Sequence, residues 1–340
     1  MRFGAVPTRE AAGLIAAHTV RAHDVILRKG QPIPAEDAAR LDAAGMGELV
    51  AVSLEPGDVG EDAAAARLAA RLAGSGLRRE APFTGRCNLF ATEPGLLRVD
   101  RAGIDAVNAV DEAITVATLP DYRPVVTGEM VATVKIIPYA VAGAALDRSC
   151  RVAPDAALRI VPYVRTRVGV VSTLLPGLKA ATVDKTLATL GRRLAPAGAA
   201  VVADLRVPHE ASAVGAAIRA VTAEGADLVV VFGASAISDR RDVIPAGIEA
   251  AGGRVDHLGM PVDPGNLLLV GGLGDVPVIG APGCARSPKE NGFDWVLHRL
   301  LAGLAVTRAD IVGLGVGGLL MEIVSRPQPR SGGTPADDDA

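Results

Sequence analysis

Two loops of small and charged residues contain the residue types of an anion-binding site. The first runs from Gly233 to Asp242 and reads GASAISDRRD, with Ser235 and Ser238 as hydroxyl groups. The second runs from Pro282 to Lys289 and leads into apolar residues at helical spacing. A small-residue turn between a strand and a helix presents free backbone N–H groups to an anion. The two loops therefore predict an anionic ligand.

The charged residues of the first loop admit a second interpretation. Asp239 or Asp242 would cap the following helix, which is worth about 1 kcal/mol, and Arg240 and Arg241 would simply be solvated. For Asp242 alone the two interpretations stay open. Ligand binding is favoured by the presence of two such loops after strands of one sheet.

The elements that position these loops alternate between strand and helix. This alternation predicts a parallel sheet covered by helices on both faces, a three-layer α/β domain with ligands at the carboxyl ends of its strands. The predicted strands are Val168–Ser172, Ala199–Asp204, Asp227–Phe232, Leu267–Val270 and Val276–Ala281. The predicted helices are Val183–Leu194, Ser212–Glu224, Val243–Ala251 and one through Phe293 and Leu301.

The chain before residue 166 follows a different pattern and predicts an N-terminal α+β region, residues 1–165. We expect the α/β domain over 166–324 and a disordered tail or linker over 325–340, where the sequence is polar and rich in Pro and Gly. Predicted helices are Val6–Ala17, Ala35–Ala44, Gly60–Leu72 and Ile104–Ala113. Predicted strands are Asp24–Pro34 (with a turn), Leu49–Leu54, Leu96–Val99 and Val131–Ile137.

Composition restricts the function. A hydrophobic content of 49% with 21% charged residues is typical of a globular protein, and a net charge of -3 with 3% aromatics gives no basic surface for nucleic acid. The three cysteines have no metal-ligand spacing, and no apolar stretch reaches the roughly 18 residues of a membrane span. We expect a cytoplasmic protein, and a homo-oligomer.

Three motifs in order resemble the molybdopterin-binding domain shared by molybdopterin molybdenumtransferases and molybdopterin adenylyltransferases. Arg241 to Pro245 stand where that family has Arg-Asp-Val-Thr-Pro. Val262 to Asn266, which include Pro264 and Gly265, match its Met-Lys-Pro-Gly-Lys segment. Its Leu-Pro-Gly, Ser-Pro-Lys turn is matched by Ala281, Pro282, Gly283, Ser287, Pro288 and Lys289. The resemblance covers Thr166–Glu322 well and Asp24–Val52 in part.

Several departures from the family pattern bear on activity. The Thr-Gly-Asp-Glu motif of the first strand is replaced by Ser172 to Leu175, so an acidic pair linked to metal handling is missing. Asp263 and Asn266 replace both lysines of the second motif, and Cys284 to Arg286 are an insertion in the third. Binding of a pterin phosphate is compatible with these changes, whereas insertion of molybdenum is less so.

The resemblance implies molybdopterin, in an adenylylated form if there is chemistry, with magnesium and molybdate. It implies Asp239 and Asp242 as the magnesium and catalytic carboxylates, and Arg241 and Lys289 as the groups that neutralise the phosphate. The remaining residues it places against the pterin are Gly233, Ser235, Ser238, Pro264, Gly265, Asn266, Pro282, Gly283 and Ser287.

Three functions remain open on the sequence. The protein is an Mg-dependent molybdenumtransferase-like enzyme, a carrier that passes the cofactor to a nucleotidyltransferase domain or protein, or a nucleotide pyrophosphatase or deamidase-type hydrolase on the same fold. The missing acidic pair favours the carrier. The five histidines, His209 among them, share no ligand spacing and are interpreted as surface or satisfied residues. Gly128, Glu129 and Lys135 form a polar cluster to which the sequence assigns no role.

Overall fold

The computed structural model describes residues 1–22 and 24–320, and the chain divides into two compact units, residues 1–161 and the residues from 162 onward. The tail predicted over 325–340 lies outside the described residues. Within the described ranges, no helix combines the length and the apolar character needed to cross a membrane.

The first unit begins with a small antiparallel sheet and one helix around buried residues such as Leu41 and Val52. The predicted helix over Val6–Ala17 is wrong. Its first residues pair instead with β5, and Gly13 has a φ of +79°, which a right-handed helix excludes. The elements are β1 (Arg2–Pro7), β2 (Ile15–Ala16), β3 (Val20–Ala22), β4 (Val25–Leu27), α1 (Ala35–Ala43) and β5 (Glu48–Ser53).

The remainder of the first unit is built on an antiparallel sheet of order β10-β12-β8-β7, with α2 packed across β8 and β12 through Leu68 and Leu72. The α+β class predicted for this region is confirmed. The elements are β6 (Asp58–Gly60), α2 (Glu61–Leu72), β7 (Leu77–Arg79), β8 (Arg86–Ala91), β9 (Gly95–Val99), α3 (Arg101–Asn108), β10 (Ile114–Thr118), β11 (Pro124–Val125), β12 (Met130–Ile136), β13 (Ala140–Ala142), α4 (Gly143–Val152) and β14 (Leu158–Pro162).

The second unit contains a six-stranded sheet of order β16-β15-β17-β20-β19-β18. The first four strands are parallel, as predicted. The elements are β15 (Arg167–Leu174), α5 (Ala180–Leu194), β16 (Ala200–Pro208), α6 (Ala211–Ala223), β17 (Leu228–Phe232), α7 (Val243–Ala250), β18 (Arg254–Leu258), β19 (Leu269–Leu273), β20 (Val276–Ala281), α8 (Gly292–Leu301) and α9 (Arg308–Val312).

Two strands at one edge depart from the purely parallel prediction. A two-residue turn, Gly274–Asp275, joins β19 to β20, and so short a connection forces the strands to be antiparallel. Gly274 has a φ of +56°, the left-handed conformation that such a turn requires. Strand β18, which was not predicted, then pairs antiparallel with β19. The sheet is therefore mainly parallel rather than wholly so.

Helices cover both faces of this sheet, which confirms the three layers. On one face Val170 packs with Leu190 of α5 and Leu297 of α8. On the other face Val171 packs with Ile218 of α6 and Ile248 of α7. Successive residues of β15 thus enter opposite cores, as the two-residue period of a strand dictates.

Helices α6 and α7 approach closely because each contributes a glycine to their contact. A Cβ on Gly215 would lie 2.9 Å from the carbonyl oxygen of Gly247. A Cβ on Gly247 would lie 2.5 Å from Cγ1 of Val214. Neither distance leaves room for a methyl group, so the packing of these helices depends on glycine at both positions.

We predict opposite effects for two glycine-to-alanine changes within helices. Gly247→Ala should lower the free energy of unfolding by about 1–3 kcal/mol, because the methyl group overpacks the α6–α7 contact. Gly191→Ala in α5 is the matched control, since its Cβ would meet no atom within 4 Å; it should stabilise by about 0.5–1 kcal/mol through helix propensity. Urea denaturation measures both. Equal effects of the two changes would show that the helix contact is not tight.

Candidate functional site

The carboxyl ends of β16, β15, β17 and β20 meet at one edge of the sheet. The helices that follow β15 and β17 pack on opposite faces, since Leu190 of α5 and Ile248 of α7 belong to different cores. Where neighbouring strands send their connections to opposite faces, a crevice opens at the carboxyl edge. The two sequence-predicted loops follow β17 and β20 and therefore border this crevice.

The loop from Gly233 to Asp242 is held largely by its own carboxylates. Asp242 is the N-cap of α7: its Oδ1 accepts from the Val243 N–H at 2.7 Å, and its Oδ2 accepts from the Ser238 N–H at 3.2 Å. Asp239 accepts from Nε of Arg241 at 2.7 Å on the protein surface. Hydrogen bonds from the Arg241 side chain and from its backbone N–H lower the pKa of Asp239 to about 2. Both carboxylates thus have partners within the loop.

A chain of hydrogen bonds crosses the edge from β15 to the loop after β17. The Thr173 Oγ1 accepts from the Ala234 N–H at 2.7 Å and lies 2.8 Å from Nδ1 of His209. On the other side of the imidazole, Nε2 lies 3.0 Å from Oγ of Ser235. The sequence did not predict His209 as part of the site, because a single histidine after a strand carries no recognisable spacing.

The direction of this chain follows from Thr173. Its side chain is buried, and among the described residues the acceptor within reach of its hydroxyl group is Nδ1 of His209. We therefore assign the ring hydrogen to Nε2, from which it is donated to Oγ of Ser235. The hydroxyl hydrogen of Ser235 is then free to point at a ligand. In this arrangement Ser235 acts as a donor, and His209 does not act as a base toward it.

Arg193 of α5 holds the second loop from behind. Its Nη1 donates to the carbonyl oxygen of Ala285 at 2.8 Å, and its Nη2 donates to that of Ser287 at 2.7 Å and of Lys289 at 3.2 Å. Its Nε donates to Asp294, the N3 residue of α8. Because the guanidinium is buried and paired, it fixes the path of a loop that has no regular structure except one 3-10 turn.

The third predicted segment, Pro264 to Asn266, lies against the start of α8. The Gly292 N–H donates to the carbonyl oxygen of Pro264 at 2.9 Å. A Cβ on Gly265 would lie 3.0 Å from Cα of Gly292, so the two backbones touch. The structure thus brings this segment close to the loop after β20, which Arg286 in turn links to the loop after β17. The side chain of Asn266 is exposed.

Arg286, from the three inserted residues, links the two loops. Its Nη2 donates to the carbonyl oxygen of Gly233 at 2.8 Å, and its guanidinium lies 5.9 Å from the ring centre of Phe232. Burial lowers the pKa of the guanidinium. Among the described residues, no carboxylate lies within ion-pair distance of it. Arg286 and the buried Ser172 hydroxyl, which has no hydrogen-bond partner, line the same small cavity.

The other sequence-predicted residues lie around these groups. Pro282 is buried and Gly283 exposed at the start of the 3-10 turn, and the Ser287 hydroxyl accepts from the Lys289 N–H at 3.2 Å. The Lys289 side chain is exposed. Residues 1–22 and 24–320 contain no group of three His, Cys, Asp or Glu side chains placed to hold a metal ion. Magnesium at Asp239 and Asp242 remains a prediction.

Comparison with known families identifies the second unit. Residues 169–303 match the family model described as a probable molybdopterin binding domain, which confirms the resemblance found in the sequence. The match covers less than half of the chain, so the assignment applies to this domain. No curated protein matches the chain.

Two solved structures show weak similarity. The protein CinA, of unknown function, from Thermoplasma acidophilum aligns at 20% identity over 36% of this chain and 90% of its own, with a TM-score of 0.29. A molybdopterin biosynthesis MoeA protein from Pyrococcus horikosii aligns at 14% identity over 89% of this chain and 75% of its own, with a TM-score of 0.30. At these scores, neither supports an inference about function.

We predict that Arg193→Met destabilises the protein strongly. The change leaves the Asp294 carboxylate and three carbonyl oxygens without their shared donor, so it should cost about 3–5 kcal/mol, as for a broken buried pair. Arg192→Met is the control, because Arg192 is exposed and, within the described part of the chain, donates only to the hydroxyl of Thr189; it should cost below about 0.5 kcal/mol. Thermal and urea unfolding distinguish the two. A small effect of Arg193→Met would show that the loop holds its path without this arginine.

Proposed function

We propose that the second unit binds the phosphorylated pterin molybdopterin, and that the protein acts as a carrier of this ligand in molybdenum cofactor biosynthesis. The observation that supports this most is the guanidinium of Arg286. It is largely buried, its pKa is lowered by that burial, and the described residues supply no carboxylate to pair with it. A buried charge without a counterion is costly, so the site favours an anion.

Two neutral hydroxyl groups at the same edge of the sheet as Arg286 also favour a phosphate. The Ser235 hydroxyl hydrogen is free in the assigned chain through His209, and the Ser172 hydroxyl is buried without a partner. A phosphate monoester offers three strong acceptor oxygens, and a planar guanidinium binds two of them at once. Charged and neutral donors are therefore both present at this edge of the sheet, as a phosphate requires.

The position of the phosphate follows from the size of the cavity. The space between Arg286, Ser172 and Thr186 is about 10 Å³, room for one water molecule but not for a phosphate. We infer that the phosphate lies at the mouth of this cavity, against the guanidinium N–H groups that Gly233 does not use. The pterin would then extend over the loops that end at Asp242 and Lys289.

Binding should depend on Arg286 far more than on its neighbours. We predict that Arg286→Met weakens molybdopterin binding about 10- to 150-fold, the equivalent of about 1.5–3 kcal/mol for hydrogen bonds to a charged group. Isothermal titration under anaerobic conditions measures it. The control is Arg219→Met, since Arg219 lies on α6 outside both loops, is exposed and donates to the carbonyl oxygen of Ala250; the affinity of this variant should stay within about twofold.

The stability of the same variant separates a ligand contact from a structural one. Because Arg286→Met removes an uncompensated buried charge, the ligand-free variant should be at least as stable as the wild type. Loss of binding together with a fall in melting temperature would assign Arg286 to folding. Unchanged binding in Arg286→Met would remove the proposed phosphate site.

Missing and already paired acidic residues favour a carrier over a transferase. Leu174 and Leu175 stand where the resembled enzymes have an acidic pair. Asp239 is paired with Arg241, and both oxygens of Asp242 accept backbone N–H groups. Because their oxygens are already engaged, these carboxylates do not fit a resident magnesium ion well. A nucleotidyltransferase domain or protein that matures the pterin would be the recipient.

We predict that Asp242→Asn leaves function intact. Asparagine is as good an N-cap as aspartate but gives up the exposed 3.2 Å bond from the Ser238 N–H, so stability should change by less than about 1 kcal/mol and molybdopterin affinity by less than about threefold. Turnover assays with adenylylated molybdopterin, molybdate and magnesium should show no product for either protein. Steady turnover by the wild type that is lost in Asp242→Asn would overturn the carrier and place a catalytic metal in this loop.

A further inference from the structure

Lys135, to which the sequence assigned no role, lines a cavity of about 360 Å³ in the first unit. The cavity has the volume of a small-ligand site and a mixed lining of charges and one aromatic ring. None of its residues belongs to the molybdopterin-binding domain. The side chains that matter are those of Lys29, Glu61, Thr84, Lys135 and Tyr139.

A partly buried ion pair forms one wall. Glu61 is the first residue of α2 and Lys135 lies on β12, with Nζ 3.7 Å from Oε2. Their side chains are 20% and 25% exposed. The Lys135 Nζ also donates to the carbonyl oxygen of Thr84 at 2.6 Å. One of its three N–H groups therefore stays available to a ligand, and so do lone pairs of the Glu61 carboxylate.

The turn that completes this wall is strained. Thr84 has a φ of +48°, an outlier for a β-branched residue that costs on the order of 1–3 kcal/mol. The next residue, Gly85, comes so close to the ion pair that a Cβ would lie 2.3 Å from Oε2 of Glu61. Its N–H donates to Oδ1 of Asp62 at 2.6 Å. The strained turn thus lies directly against the carboxylate of Glu61 and the ammonium group of Lys135.

An aromatic ring borders the pair. The Tyr139 hydroxyl donates to the carbonyl oxygen of Ala17 at 2.6 Å, so the orientation of the ring is fixed. Nζ of Lys29 lies 6.0 Å from the ring centre. A flat ligand placed against this ring would direct one edge at the acceptor of Glu61 and the donor of Lys135, with the second ammonium group near it.

We propose that this cavity binds a heterocycle with a 2-amino-4-oxopyrimidine edge, the edge shared by pterins and guanine. That edge presents an amino group and a ring N–H beside a carbonyl oxygen. The Glu61 carboxylate accepts from the two N–H donors, Lys135 donates to the oxygen, and the Tyr139 ring stacks on the heterocycle. The proposal does not rest on the function proposed for the second unit, because the bare ring lacks a phosphate.

Titration of the full chain with three ring compounds tests the recognition. The probes are pterin, guanosine and lumazine, which has a second oxo group in place of the amino group. Pterin should bind at least about 10-fold more tightly than lumazine, because lumazine leaves an acceptor of Glu61 without a donor. If guanosine binds more tightly than pterin, the ligand that presents this edge is a guanine nucleoside or nucleotide. Equal binding of pterin and lumazine, or binding of none of the three at millimolar concentration, would overturn the proposal.

Two variants locate the binding. Glu61→Gln should weaken pterin about 10-fold and abolish the preference over lumazine, and Lys135→Met should weaken both rings. Glu112→Gln, an exposed change in the same unit, is the control and should alter neither. The bare ring carries no phosphate, so failure of this site would leave the phosphate site at Arg286 untested and the two proposals distinguishable. If Glu61→Gln lowers the melting temperature, the site is tested instead by Lys135→Met and by the preference of the wild type for pterin over lumazine. Unchanged pterin binding in Lys135→Met would contradict the site.

Discussion

The candidate site in the second unit depends on the buried guanidinium of Arg193. The loop after β20 has too little regular structure to satisfy its own backbone, and Arg193 supplies donors to three of its carbonyl oxygens while pairing with Asp294 at the start of α8. The same loop carries Arg286, whose guanidinium donates to the carbonyl oxygen of Gly233. The position of Arg286 therefore depends on the contacts that Arg193 makes with this loop. One buried charge thus organises the contact between the loops.

The two arginines show what a buried charge indicates when the protein pairs it with a carboxylate and when it does not. Arg193 has a carboxylate partner and several carbonyl acceptors, so its charge is satisfied by the protein and its role is structural. Arg286 has one carbonyl acceptor and an aromatic neighbour, with burial lowering its pKa. Neither partner neutralises a positive charge. The difference in pairing, rather than the difference in position, is what directs the functional inference to Arg286.

The sequence predicted the architecture of the second unit well because its strands and helices are local patterns. Buried runs such as Leu228–Phe232 and helices such as α5 depend on periodicity within one segment. The site was less predictable, because His209 and Arg286 gain their meaning from contacts with Thr173 and Gly233, which lie far away in the chain. The error at Val6–Ala17 has the same origin, since pairing with β5 is a long-range contact.

The direction of hydrogen bonds at the carboxyl edge explains why binding is a better inference than catalysis. If Nε2 of His209 carries the hydrogen, it donates to Ser235 and cannot remove the proton of that hydroxyl. Ser235 and Arg286 are then both donors at this edge, whereas the Ser172 hydroxyl lies inside the water-sized cavity beside Arg286. An edge made of donors stabilises an anion that arrives already charged, but it offers no base to create a nucleophile. This arrangement supports the proposal that the site retains a phosphorylated ligand, whereas making a bond there would require a base supplied from elsewhere.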